Sequence, residues 1–66
     1  MNSYQYKINQ LKHQVKTYER ELEKVKDRSF ITTNKTIKNS LDRVILAYKS
    51  KIDSCLSRIK VLESEL

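Results

Sequence analysis

Neither glycine nor proline occurs anywhere in this 66-residue chain. The usual devices for tight turns, bulges and phosphate-cradling loops are therefore missing, and so are the two strongest breakers of a helix. Glycine-flanked nucleophile elbows and glycine-rich nucleotide loops are excluded on the same ground. One cysteine and one histidine cannot build an internal disulfide framework, nor a closed zinc site from those ligand types. No metal or other cofactor is expected, and no small-molecule ligand. Apolar runs are short, the longest being of the kind Val44-Ile45-Leu46-Ala47-Tyr48, whereas crossing a bilayer takes about 20 residues. The stretch Met1-Asn2-Ser3-Tyr4-Gln5 lacks the basic and apolar segments of a signal peptide. These absences lead to the expectation of a cytoplasmic, all-α, non-enzymatic chain that does not engage a membrane.

What is present is a heptad pattern. Apolar residues fall at 4, 8, 11, 15, 18, 22 and 25, alternating steps of four and three, which is the seam of a helix packed against another helix. In that frame Ile8, Val15 and Leu22 take position a, and Tyr4, Leu11, Tyr18 and Val25 take position d. Carried further, the frame puts Ser29, Thr32, Thr36 and Asn39 on the seam, and none of these suits a buried helix contact. A second seam, Leu41, Ile45, Tyr48, Ile52, Cys55, Ile59, Leu62 and Leu66, is displaced by two residues from the first. One continuous helix would have to rotate its apolar stripe abruptly, and a turn permits the change.

The expected fold is an all-α antiparallel two-helix coiled-coil hairpin forming a single domain over 1–66, with helix 1 at about 3–28, a turn at about 29–34 and helix 2 at about 35–65. Asn34 or Thr33, and less directly Thr32, can cap helix 2, since their side-chain oxygens accept from its orphan amides. Asn2 with Gln5 resembles a capping box, with Met1 and Tyr6 as a hydrophobic staple. Seven apolar pairs share one numerical total, 63: Leu22 with Leu41, Tyr18 with Ile45, Val15 with Tyr48, Leu11 with Ile52, Ile8 with Cys55, Tyr4 with Ile59 and Met1 with Leu62. A constant total is what antiparallel register requires, so these pairs are expected to face each other.

That register sets like charges together at the flanks, Lys12 with Lys49, Glu19 with Asp42 and Lys7 with Arg58, which suggests that another surface meets those edges. Helix 2 also widens its apolar stripe with Ile37, Val44 and Leu56. So short a chain has little core of its own, and dimerisation into a four-helix bundle is the expected outcome. Phe30 and Ile31, in the turn, are expected to cap the bundle over Val25 and Ile37 or to anchor a partner. Phe30, Ile31, Ile37, Val44 and Leu56 are thus the candidate partner-binding residues.

Little else carries chemistry. Cys55 on the seam reads as a small buried apolar group, and His13 lies opposite the seam with no companion ligand. The carboxylates Glu19, Glu21, Glu23 and Asp27 alternate with Lys24, Lys26 and Arg28 as a solvated face. Net charge is +6, and Lys7, Lys12, Lys16, Lys49, Lys51, Arg58 and Lys60 are expected to gather into a basic surface in the half away from the turn. Such a surface suits nucleic acid, RNA above all, or an acidic protein. The run from Leu41 and Asp42 to Tyr48 resembles the later part of the motif in small two-helix phosphatases that act on a sporulation response regulator in bacilli. It covers eight residues, and Lys38, Asn39 and Ser40 stand where that family has Ser, Gln and Glu. The resemblance implies aspartyl-phosphate phosphatase activity around Asp42. The leading expectation is a protein–protein interaction module, an adaptor, small regulator or co-chaperone, that self-associates or binds a helical partner. An RNA-binding hairpin is the alternative, and the phosphatase a remote one.

Overall fold

The computed structural model describes residues 3–66, which form two helices, α1 (Ser3–Ile31) and α2 (Lys35–Ser64), joined by residues 32–34. The helices pack side by side along their length as an all-α antiparallel hairpin. Its Cα atoms span 50 × 15 × 11 Å, so the molecule is a single layer one helix thick. Met1 and Asn2, with the capping box, the staple and the Met1–Leu62 pair drawn from them, lie outside the described residues.

Without glycine, the turn is made by ending one helix and capping the next. Asn34 holds an extended backbone (φ −79°, ψ 114°), and its side-chain oxygen accepts from the amide of Ile37 at 3.1 Å. Its carbonyl receives the first amide of the new helix, from Lys38, at 2.9 Å. Asn34, rather than Thr33 or Thr32, therefore satisfies one orphan donor and starts α2.

At the other side of the turn, α1 runs three residues beyond 28. Ser29 does sit on the seam, and it is only 4% exposed. Its hydroxyl donates to Asp42 Oδ1 at 2.6 Å, while Lys38 Nζ donates to the Ser29 hydroxyl at 3.3 Å and to the Ser29 carbonyl at 3.0 Å. That carbonyl belongs to the last turn of α1, where carbonyls lack an intrahelical partner and the helix dipole is negative. A lysine from α2 thus terminates α1, and a polar seam residue is buried without an unmet hydrogen bond.

Extending α1 moves the apex to Thr33, and the register slides with it. The structure pairs Ser29 with Lys38, whose numbers total 67, and sets the rings of Tyr18 and Tyr48, totalling 66, at 6.0 Å and 55°. Followed down the seam, this register places Val25 by Leu41, Leu22 by Ile45, Val15 by Ile52, Leu11 by Cys55 and Ile8 by Ile59. Among the described residues, the expected pairs totalling 63 are displaced by one seam step, about one helical turn, and Val15 with Tyr48 and Leu11 with Ile52 are not opposite partners.

The core agrees with the new alignment. Ile8, Val15 and Ile59 are buried together, with Leu11, Ile52, Cys55 and Leu62 packed against them, and Leu22 is buried further up. Ile8, at 1% exposure, is the one fully enclosed large side chain among the described residues. If Asn34 nucleates α2 as its bonds indicate, Asn34→Ala lowers stability by about 1 kcal/mol, to be read as a shifted urea midpoint. An unchanged midpoint would mean that the side-chain cap is dispensable.

Candidate interaction surface

The chain's candidate partner residues are distributed by the helix period into an apex patch and two edges. Phe30 and Ile31 lie in the last turn of α1 rather than in the connecting loop, and they are 87% and 75% exposed. They do not cover the end of the bundle. Ile31 lines a shallow groove with Ile37 and Leu41, bordered by Arg28, Thr32 and Thr33. Ile37 (51%) and Val44 (41%), seven residues apart, follow one edge of α2. Leu56 (50%) falls on the opposite edge, with Leu46 above it. The five residues therefore do not form one continuous patch.

Burial divides the seam as well. Every position a residue of α1, Ile8, Val15, Leu22 and Ser29, is buried, while Tyr4, Leu11, Tyr18 and Val25 at position d are all partly open. The open side carries a polar and aromatic group near the middle of the hairpin. Lys51 Nζ lies 5.7 Å from the Tyr18 ring centre and 5.6 Å from that of Tyr48, within range of a cation–π attraction. Gln14 donates to the Tyr18 hydroxyl at 3.1 Å, and the Cys55 thiol lies 3.8 Å from the Gln14 side-chain oxygen. Cys55 is half-buried, packed against the core of Ile8, Val15 and Ile59 and bordered by Gln14.

The other side is charged and self-complementary. Glu19 lines a groove with Leu22, Glu23 and Lys26 of α1 and with Lys49, Ile52 and Asp53 of α2. Asp42 is engaged by Ser29 near the apex. The slide in register thus replaces the expected Lys12–Lys49 and Glu19–Asp42 repulsions by a mixed-charge groove, and those flanks no longer call for a covering surface. Of the two ion pairs within α1, Lys26 to Glu23 at 3.9 Å lies in this groove, and Lys24 to Glu21 at 3.7 Å lies outside it.

The basic residues stay dispersed. Lys7, Lys12, Lys16, Arg58 and Lys60 are exposed along the two helices, Lys16 shares a depression with Glu19, Arg20 and Glu23, Lys49 sits among carboxylates and Lys51 over the tyrosines. Asp53, Glu63 and Glu65 occupy the same half of the hairpin as Lys51, Arg58 and Lys60. His13 is exposed, and its carbonyl accepts from the Thr17 hydroxyl at 3.2 Å. No group of three or more metal-binding side chains occurs among the described residues. Nor is any described helix long and apolar enough to cross a membrane.

The sequence pattern missed Ser29, Lys38 and the Tyr18–Tyr48–Lys51 group. Its one signal was Ser29 at position a, in phase with Ile8, Val15 and Leu22. No protein family matches this chain, and neither a curated protein nor a solved structure matches it significantly.

Because Phe30 is almost wholly solvated, Phe30→Ser is expected to change stability by less than about 0.5 kcal/mol. A thermal melt checks this, and a larger loss would show that the ring packs within the chain.

Proposed function

We propose that this chain is a non-enzymatic helical-hairpin module for protein–protein interaction, an adaptor, small regulator or co-chaperone of the cytoplasm, that self-associates or docks a helical partner. The observation that carries the reading is the exposure of large apolar side chains at the apex and on both edges of α2. A chain whose own core rests on Ile8, Val15, Leu22 and Ile59 gains more from association than a larger domain does. Apolar and aromatic side chains also dominate the energy of interfaces, which makes Phe30, Ile37, Val44 and Leu56 the natural anchors.

Dispersal of the lysines among carboxylates gives less support to the RNA-binding alternative, since affinity for phosphates grows with the number neutralised together. A photo-reactive phenylalanine analogue placed at Phe30, and separately at Leu56, tests the choice in cells. The expected adduct is a protein, either this chain or another, and Leu56→Glu, on a separate edge, should reduce the yield at Phe30 little. Adducts to RNA, with affinity that falls steeply between low and physiological salt, would overturn the proposal in favour of the alternative.

A further inference from the structure

Resting on the self-association just proposed, we infer that the partly open, position d side of the seam is closed by a second copy of this chain, laid face to face about a two-fold axis that crosses α1 at Tyr18 and α2 at Tyr48. Surface area gives the first reason. A folded monomer of 7.9 kDa should expose about 4,400 Å², and the hairpin exposes 5389 Å². Two chains in one compact body would expose about 7,300 Å², against twice 5389 Å² for the separate hairpins. The difference, about 3,500 Å² in total, falls within the about 2,000–5,000 Å² of obligate homodimers.

Layering gives the second reason. Stable domains have two layers around a core, and this hairpin supplies one, 11 Å through in its Cα trace. A second hairpin supplies the other without any further component.

The choice of side follows from burial, since position a is covered along all of α1 and position d is not. The choice of axis follows from the edge of α2 on that side, which reads Ile37, Val44, Lys51, Arg58 at seven-residue spacing. It is apolar near the apex and basic beyond the middle. An axis at Tyr48 sets Val44 against Lys51 of the other copy and Ile37 against its Arg58. In the pair Lys51 leaves its place over the Tyr18 and Tyr48 rings, and its stem and that of Arg58 cover the two apolar residues while the charged heads reach solvent. It also brings Tyr18 and Tyr48, near the midpoints of Ser3–Ile31 and Lys35–Ser64, against their own copies.

Disulfide trapping and sedimentation equilibrium together test the arrangement. In a Cys55→Ser background, Tyr48→Cys should oxidise to a covalent dimer at micromolar concentration, whereas Leu46→Cys, on the other edge, should not. The unmodified chain should sediment as a dimer, and Val44→Lys, which sets like charges together across the axis, should raise its dissociation constant at least about 30-fold, with Leu46→Lys leaving it within about two-fold. Circular dichroism at high concentration separates loss of pairing from loss of folding in Val44→Lys, and the cysteine variants test the axis even if that variant unfolds. A fully helical monomer at every concentration would overturn the inference, as would dimers broken by Leu46→Lys and untouched by Val44→Lys. A monomer that still yields protein adducts from Phe30 would remove self-pairing alone, leaving the interaction module in place.

Discussion

The Ser29 hydroxyl, donating to Asp42 and receiving Lys38, is the contact on which the alignment of both helices depends. Two heptad seams can slide past each other by one step and still set apolar residue against apolar residue, because the pattern repeats. What a slide cannot preserve is the polar end. Returned to the register in which pairs total 63, Lys38 would face Val25 and Ser29 would have left the helix, stranding an ammonium against an apolar side chain. Hydrogen bonds to charged groups contribute about 1.5–3 kcal/mol when formed, and these partly buried ones belong at the lower end. A polar seam position that specifies register at a cost in stability is a known property of coiled coils.

From this anchor the rest of the hairpin follows. Lys38 closes α1 and Asn34 opens α2, so three loop residues suffice to reverse the chain without glycine. The apex then lies at Thr33, and the Tyr18–Tyr48 contact falls near the middle of both helices. Lys51 comes to rest over both rings, and Lys49 enters the groove that holds Glu19 and Glu23. The two faces of the layer consequently differ. One is a mixed-charge surface suited to water, and the other leaves position d half covered beside Ile37 and Val44.

Much of this was legible in the sequence for a physical reason. Steps of four and three announce helices, the two-residue displacement between the seams announces a turn, and an asparagine before a helical pattern announces its cap. The register was not legible, because periodicity fixes which face is buried and says nothing about which turn of one helix meets which turn of the other. The full extent of α1 is not legible at Ser29, where a hydroxyl in phase with Ile8, Val15 and Leu22 reads as the end of a seam until its partners nine and thirteen residues away are known. Phe30 and Ile31 read as turn residues for the same reason, and with α1 continuing through them they are exposed. Of the five candidate partner residues, the structure keeps all exposed and separates them between the apex and two edges of α2, a division that follows from register and helix phase together.

Cysteine trapping across the seam tests the alignment most directly. With Cys55→Ser removing the native thiol, the pair Val15→Cys and Ile52→Cys and the pair Val15→Cys and Tyr48→Cys report the two registers. Only the residues directly opposite come within the Cα separation of about 7 Å that a disulfide tolerates. The Ser29-anchored register predicts rapid closure within one chain between residues 15 and 52 and little between 15 and 48. Preferential closure between 15 and 48 would show that the seams pair in the other register and that the Ser29, Lys38 and Asp42 contacts do not set the fold.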